Sequence, residues 1–254
     1  MYSMKVKSIL AALLLLVAGV QTAMAQKMIV TLNDNSKVTY SISQVKEVAF
    51  VEAEEHEWVD LGLPSGTLWA TCNVGANSPE EYGDYFAWGE IEPKDNYSWS
   101  TYKYCKGSND TMTKYCAQSD YGYNGFTDGK KELDPEDDAA AVNWGSNWRM
   151  PSFSQIIELY NSSYTTTTWT TQNGINGRKI TSNSNGNSIF LPAAGYRNDT
   201  SLDRAGSRSH YWSRSLGTDG ISSAYFLFFN SAYISWNDFD RSYGRSVRPV
   251  RVQE

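Results

Sequence analysis

Two consecutive segments near the end of the chain carry large side chains at both odd and even positions, and this pattern constrains the fold more than any other feature. The segments are residues 224–230 and 233–240. Successive side chains of a β-strand point to opposite faces, so a strand that only covers a core is apolar on one side. In the first segment, one row consists of Tyr225, Leu227 and Phe229, and the other of Phe226, Phe228 and Asn230. We expect the first row to be buried and the second to face solvent.

The second segment repeats this arrangement. Ile234 and Trp236 form the expected inward pair, and the outward positions continue as far as Tyr243. Exposed aromatic rings mixed with short hydrogen-bonding side chains are typical of recognition surfaces. The sequence therefore predicts a ligand-binding surface made by Phe226, Phe228, Asn230, Tyr233, Ser235, Asn237, Asp238, Phe239, Asp240, Ser242 and Tyr243.

The first 25 residues have the features of an export signal. Two lysines precede an apolar run over residues 9–20, and Ala23 and Ala25 supply the small side chains that a signal peptidase requires. The run is shorter than the roughly 20 apolar residues of a membrane helix, and no later segment approaches that length. We therefore expect a protein that is exported to the periplasm, the cell surface or the medium, with no membrane span.

Charge and cysteine content narrow the choice of partners and of covalent links. The formal net charge is −6, and Lys and Arg do not cluster, which argues against a nucleic-acid partner. Cys105 and Cys116 are close enough in sequence to close a loop through a disulfide, although sequence alone does not fix the pairing. Cys72 lies in an apolar stretch, where a small buried thiol is the usual role.

The mature chain divides into a short first segment and one main domain. Alternating apolar residues on either side of a polar turn at 33–36 predict a β-hairpin within residues 26–51. The acidic residues 52–57 are expected to form a linker, and residues 58–254 the main domain.

Helix signals in the main domain are few. The segment 137–144 follows Pro135 and carries acidic residues in its first turn, and a second helix is expected to begin with Ser152 or Ser154 as its N-cap. The rest alternates short apolar runs with turns rich in Gly, Asn and Ser, which indicates antiparallel strands. The predicted class is α+β, with two helices and short antiparallel strands.

Several motifs of the main domain occur in the order and spacing of a known family, over nearly the whole of residues 57–252. They are Trp58-Val-Asp-Leu-Gly-Leu-Pro-Ser-Gly66, Trp69-Ala-Thr-Cys-Asn-Val-Gly-Ala76, Tyr82-Gly-Asp-Tyr-Phe-Ala-Trp-Gly-Glu90, Trp148-Arg-Met-Pro151, Ile189-Phe-Leu-Pro-Ala-Ala-Gly-Tyr-Arg197, Tyr211-Trp-Ser213 and Ser246-Val-Arg-Pro-Val250. This set resembles the Fibrobacter succinogenes major paralogous domain. The resemblance implies a C-type-lectin-like fold, related to the formylglycine-generating-enzyme scaffold, in exported proteins of Bacteroidetes-like bacteria.

The resemblance also implies that the first and last strands of the domain pair, and we expect residues 58–61 to pair with residues 246–250. Lectin-like domains receive the variable segment of proteins diversified by retroelements, and the outward residues between 226 and 243 are similar to such a segment. A retroelement-diversified variable protein is therefore one elaboration of the binding hypothesis.

Candidate chemical sites are weak in this sequence. The string Trp236-Asn237-Asp238 matches the tripeptide of calcium-dependent lectins, but the nearest candidate for the second half of that site, Glu92-Pro-Lys94, places a cation where an oxygen ligand is needed. The three cysteines all precede residue 117, whereas the formylglycine-generating relatives need a late cysteine pair. His56 and His210 are far apart and match no zinc motif. We therefore predict no metal, no cofactor and no catalytic residue.

The predicted function is non-enzymatic recognition of a protein or glycan ligand by the C-terminal strands. One alternative is a polysaccharide-active hydrolase, in which two carboxylates such as those of Asp84, Glu90, Asp137 and Asp138 meet in a deep pocket. The other is a structural surface component, whose aromatic face is buried against a copy of itself. The sequence leaves ligand identity and oligomeric state open.

Overall fold

The computed structural model describes residues 27–31, 36–44, 56–218 and 221–252. The predicted export signal, the turn of the first hairpin and most of the predicted linker lie outside these residues. The chain divides into two compact units, Met1–Glu52 and Ala53–Glu254. In the first unit, β1 (Lys27–Thr31) pairs with antiparallel β2 (Lys37–Ser41), followed by a 3-10 turn at Ile42–Gln44, so the predicted hairpin forms.

The described part of the second unit is mostly β-structure with two short α-helices, which confirms the α+β class. The helices are α1 (Ala139–Trp144) and α2 (Phe153–Leu159). The strands are β3 (Trp58–Asp60), β4 (Thr67–Ala70), β5 (Thr165–Gln172), β6 (Ile175–Ser182), β7 (Ser188–Pro192), β8 (Tyr196–Asn198), β9 (Ser201–Asp203), β10 (Arg208–Leu216), β11 (Ser223–Asn230), β12 (Ile234–Asp240) and β13 (Val250–Val252). Single 3-10 turns at Trp99–Thr101, Ser119–Tyr121, Tyr123–Gly125 and Pro135–Asp137 interrupt the long loops between β4 and α1.

The strands of the second unit form small antiparallel sheets. Their orders are β3-β4-β13, β5-β6-β7, β8-β9 and β10-β11-β12. The last strand therefore shares a sheet with the first, but its partner is β4, with Val250 opposite Trp69. The predicted pairing of residues 58–61 with 246–250 is wrong, because β3 folds back onto β4 through a turn closed by Gly66 N and Leu63 O. This leaves the other edge of β4 for the C-terminal strand.

Both helices begin at capping residues that the sequence marks. Ser152 is the N-cap of α2, where it forms a capping box with Gln155. The first helix starts later than predicted: Pro135–Asp137 is a separate 3-10 turn, and Asp138 is the N-cap of α1. The buried carboxylate of Asp138 accepts hydrogen bonds from Ala140 N, Ala141 N and Met150 N. It also forms an ion pair with Arg149, whose Nε lies 3.1 Å from Asp138 Oδ2.

The central sheet β10-β11-β12 has a hydrophobic core on each side. Trp212, Ala224 and Phe226 belong to one core, and Tyr211, Leu227 and Phe229 belong to the other. Alternate residues of β10 and β11 therefore enter opposite cores, as the pleat requires. This double burial is the physical reason why β11 carries large apolar side chains on both faces.

The cysteines of the long loops are separate thiols, so the expected disulfide between Cys105 and Cys116 is absent. Each thiol instead lies near a backbone carbonyl, with Cys105 Sγ 3.1 Å from Trp99 O and Cys116 Sγ 3.1 Å from Gln118 O. Cys72, expected to be buried, is partly exposed. Within the described residues, no helix has the length and hydropathy needed to cross a bilayer.

Candidate functional site

A cavity of about 470 Å³ opens beside the outer part of the central sheet. Its lining contains seven aromatic residues, namely Tyr196, Phe226, Phe228, Tyr233, Trp236, Phe239 and Tyr243. The polar members of the lining are Arg208, His210, Ser235, Asn237 and Arg245. This volume lies in the range of small-ligand sites, in which apolar walls carry a few polar groups.

The register of the central sheet places one row of side chains from each strand at the cavity. Phe228 lies opposite His210 on one side and Ser235 on the other. Phe226 lies opposite Trp212 and Asn237 in the next row. Opposite residues of antiparallel strands share a face, so these rows form a continuous surface.

The remaining wall comes from β8 and from the loop that precedes β13. Backbone hydrogen bonds join Arg197 N to Gly244 O at 2.7 Å and Gly244 N to Arg197 O at 3.0 Å. A Cβ at Gly244 would lie 2.6 Å from the Tyr97 ring, so only glycine allows this approach. The contact sets Tyr196 beside Tyr243, with ring centroids 5.8 Å apart.

Aromatic pairs connect the floor of the cavity with its rim. Tyr196 and His210 meet edge to face at 4.8 Å, and Phe239 and Tyr243 at 5.2 Å. At the rim, Tyr233 is 54% exposed and Phe239 is 48% exposed. The floor is buried, since only 3% of Phe226 is exposed.

Arg245 is a buried cation at this floor. It is 2% exposed, and its guanidinium carbon lies 3.5 Å from the ring centroid of Phe226 and 4.2 Å from that of Trp212. Two backbone hydrogen bonds to Phe86 hold the residue in place. Nε and Nη1 of Arg245 have no hydrogen-bond partner in the part of the chain that the structure describes. Burial lowers the pKa of this guanidinium to about 9.

His210 is the second buried polar group of the cavity. Its Nδ1 also has no hydrogen-bond partner among the described residues. Burial and the nearby charge of Arg245 lower the pKa of its imidazole to about 3. His210 is therefore neutral near pH 7, and the positive charge at the floor belongs to Arg245.

Seven of the eleven residues predicted to bind ligand line the cavity. They are Phe226, Phe228, Tyr233, Ser235, Asn237, Phe239 and Tyr243. The exposure predicted for Phe226 is wrong, however, because the residue belongs to a core. Trp236, predicted to point inward, is exposed, and its ring contacts Phe153 and Tyr225 on the opposite face of the sheet.

The four other predicted residues lie outside the lining and have structural contacts. Asn230 Oδ1 accepts from the amides of residues 232 and 233 and so closes the turn between β11 and β12. The Asp238 carboxylate accepts from Thr218 N and Ser223 Oγ. Ser242, predicted to face outward, is buried, while Asp240 is only partly exposed.

Five members of the lining were not predicted from the sequence as ligand-binding residues, namely Tyr196, Arg208, His210, Trp236 and Arg245. The alternation in residues 208–212 was a usable signal, because it places His210 and Trp212 on one face of β10. Tyr196 and Arg245 gave no such signal, since they reach the cavity only through contacts between distant segments.

Acidic side chains are absent from the described lining of the cavity. Of the carboxylates considered for a hydrolase, Glu90 bonds to Lys94 Nζ and Lys103 N at 2.8 Å each. Asp137 accepts from Tyr104 and Tyr115 hydroxyls and from Lys114, and Asp138 caps α1. Among the described residues, no three His, Cys, Asp or Glu side chains are grouped as a metal site would require.

Comparison of the chain with protein-family models, with curated proteins and with solved structures found no match. The resemblance to the Fibrobacter succinogenes major paralogous domain therefore stays a prediction.

Proposed function

We propose that this chain is an exported, non-enzymatic glycan-binding protein with a C-type-lectin-like main domain. The cavity beside β10-β11-β12 is its binding site. The single observation that carries the proposal is the convergence of six aromatic residues, Trp236 not counted, and five polar residues on one cavity of about 470 Å³.

The size of the cavity favours a small ligand unit over a protein surface. Stable protein interfaces bury roughly 800 Å² on each partner, which needs a broad contact area. A cavity of this volume holds one or two sugar rings. The aromatic rings offer flat apolar faces to the C–H groups of a sugar, and Ser235 and Asn237 at the side of β12 offer hydrogen bonds to its hydroxyls.

A binding role is also supported by the chemistry of the lining. Glycosidases use two carboxyl groups on either side of the scissile bond. The described lining has none, and the carboxylates of Glu90, Asp137 and Asp138 are engaged in structural contacts. The lectin-like fold and the export of the protein rest on the sequence motifs and on the predicted signal in residues 1–25.

A glycan array probed with the mature chain tests the proposal. The double variant Tyr233→Ala/Phe239→Ala removes two exposed rim rings, and we expect it to lose at least about tenfold in affinity for glycans that the parent binds. The matched control, Tyr121→Ala/Tyr123→Ala, removes two exposed rings that do not line the cavity.

Equal loss in both double variants would place glycan binding elsewhere on the protein. No glycan binding by the parent chain would reject the proposal, and binding on a protein array alone would replace it with protein recognition. Release of reducing sugar from a bound glycan would show a hydrolase.

A further inference from the structure

The cavity carries positive charge in a protein whose formal net charge is −6. Arg208 lies at its exposed edge and Arg245 at its buried floor, and no acidic residue is part of the described lining. Asp240 lies close enough to influence the pKa of Arg245 but is not part of the lining. The two charged residues of the described lining are therefore both cations.

Arg245 has hydrogen-bonding capacity that the described residues do not use. Its guanidinium has five N–H donors, and Nε and Nη1 are buried without an acceptor. The rings of Phe226 and Trp212 stabilise the charge through cation–π contacts, but they leave the donors at the edge of the guanidinium unpaired. Leaving such donors unpaired in a buried site costs free energy, and a bound anion would recover it.

Arg248 shows what a purely structural buried arginine looks like in the same unit. Its Nε donates to Asn73 Oδ1 at 2.8 Å, its Nη1 to Ala70 O and Thr71 O, and its Nη2 to Phe190 O. All three of its nitrogens have acceptors. Arg245 differs from it in lining a cavity and in lacking these acceptors.

The other groups around Arg245 suit the ring of a sugar. Tyr196, Phe239 and Tyr243 offer ring faces or edges above the floor. His210 lies beside them with a neutral imidazole whose buried Nδ1 has no partner among the described residues. The chemistry that satisfies all of these groups at once is a sugar ring that carries a carboxylate.

We propose that the cavity selects acidic sugars, and that Arg245 is the residue that pairs with the sugar carboxylate. A carboxylate matches the fork of a guanidinium and forms charge-assisted hydrogen bonds with it. This inference rests on the proposed function and adds the class of glycan to it.

Isothermal titration of the mature chain tests the inference with defined probes. They are methyl glucuronide and the methyl glycoside of N-acetylneuraminic acid, each compared with its carboxyl methyl ester. We expect at least one acid to bind about tenfold or more tightly than its ester, and we expect added salt to weaken the binding of that acid. The comparison uses unaltered protein, so it does not depend on the folding of a variant.

Arg245→Gln and Arg245→Lys then assign the preference to the residue. We expect Gln to reduce the ratio of acid to ester affinity to about threefold or less, and Lys to retain part of it, because Lys keeps the charge without the planar fork. Circular dichroism and the binding of the ester show whether each variant is folded. Arg204→Gln is the comparison for an exposed cation outside the lining, and we expect it to keep the ratio.

The outcomes separate the two proposals. Equal binding of acids and esters, or an unchanged ratio in a folded Arg245→Gln variant, would overturn the acidic-sugar inference and leave glycan binding standing. Failure of every glycan on the array would reject the proposed function itself. Binding of acidic peptides in place of acidic sugars would overturn the sugar class.

Discussion

Three of the four arginines that are buried in the described part of the chain differ in how their charge is satisfied. Arg248 has acceptors for all three nitrogens. Arg241 bonds to Tyr115 O and Met112 Sδ and lies near the rings of Trp88 and Tyr102, and only its Nε has no partner among the described residues. Arg245 has only ring contacts through its guanidinium in the described part of the chain. The first two therefore stabilise loops, whereas the third is the residue that we propose pairs with a ligand.

Arg248→Gln should strongly destabilise the main domain. It leaves the Asn73 amide oxygen and carbonyls of three other residues without their donor, and we expect a loss of about 3 kcal/mol in the free energy of unfolding. Urea denaturation followed by fluorescence measures it. Arg208→Gln, at an exposed position, should change this free energy by less than about 0.5 kcal/mol. A loss below about 1 kcal/mol for Arg248→Gln would contradict the structural role of its hydrogen bonds.

Phe226 and Tyr233 contribute to the same cavity but differ in burial. We therefore expect their substitutions to change the free energy of unfolding by different amounts. Phe226→Ser removes a buried ring and should cost about 3 to 5 kcal/mol of unfolding free energy. Tyr233→Ser removes a ring that is mostly in solvent and should cost about 0.5 kcal/mol or less. Thermal unfolding of the two single variants compares them, and similar losses would mean that the floor and the rim are not distinct.

At the scale of elements, Asp138 joins α1 to the strand-like segment around Arg149. Its carboxylate caps two amides of α1 and also accepts from Met150 N. It is fully buried, and this burial raises its pKa despite the hydrogen bonds and the charge of Arg149. The residue therefore acts as both a helix cap and a buried ion-pair partner.

Asp138→Ala should cost about 3 kcal/mol or more, since it removes a cap and leaves Arg149 and several buried amides without their acceptor. Glu136→Ala is the matched control, because that carboxylate is largely exposed and lies only two residues earlier. We expect it to change the free energy of unfolding by about 0.5 kcal/mol or less. Equal effects in chemical denaturation would show that the interactions of Asp138 add little.

Local signals in the sequence predict many of these elements correctly. Ser152 marks the start of α2, and the alternation in residues 233–239 places Tyr233, Ser235 and Asn237 at the cavity. The failures come from long-range contacts. Phe226 is buried because a second core covers its face of β11, and β4 pairs with β13 because a turn has already placed β3 at its other edge. Arg245 reaches the cavity through a bridge to Phe86, which no local pattern reveals.

At the scale of the molecule, a charged cluster links the long loops to the turn before α1. Lys114 Nζ lies 2.8 Å from Asp134 and 2.5 Å from Asp137, and Tyr104 and Tyr115 donate to Asp137. Hydrogen bonds from Lys114 and Lys130 lower the pKa of Asp134 to about 2. Burial would raise the pKa of Asp137, but its hydrogen bonds from Lys114, Tyr104 and Tyr115 outweigh burial and lower it.

Stability should therefore fall in acid. Both carboxyl groups have folded-state pKa values below their ordinary value, so their contribution is complete above about pH 5 and is lost as the pH falls towards 2. Urea midpoints measured between pH 2 and pH 6 test this. Asp134→Asn should make the urea midpoint depend less on pH. Asp110→Asn, at an exposed position outside the cluster, should leave that pH dependence unchanged. A parent protein equally stable at pH 2.5 and pH 6 would contradict the assignment.

The buried Phe226 and the exposed Tyr233 and Phe239 line the same cavity but tolerate substitution differently. Substitutions at the floor of the cavity are constrained by folding, because Phe226 is also part of a core. The rim residues Tyr233 and Phe239 are exposed and have much less of that constraint. Randomising Tyr233, Ser235, Asn237 and Phe239 in a display library should thus yield many folded clones with new selectivity, all built on one unchanged base.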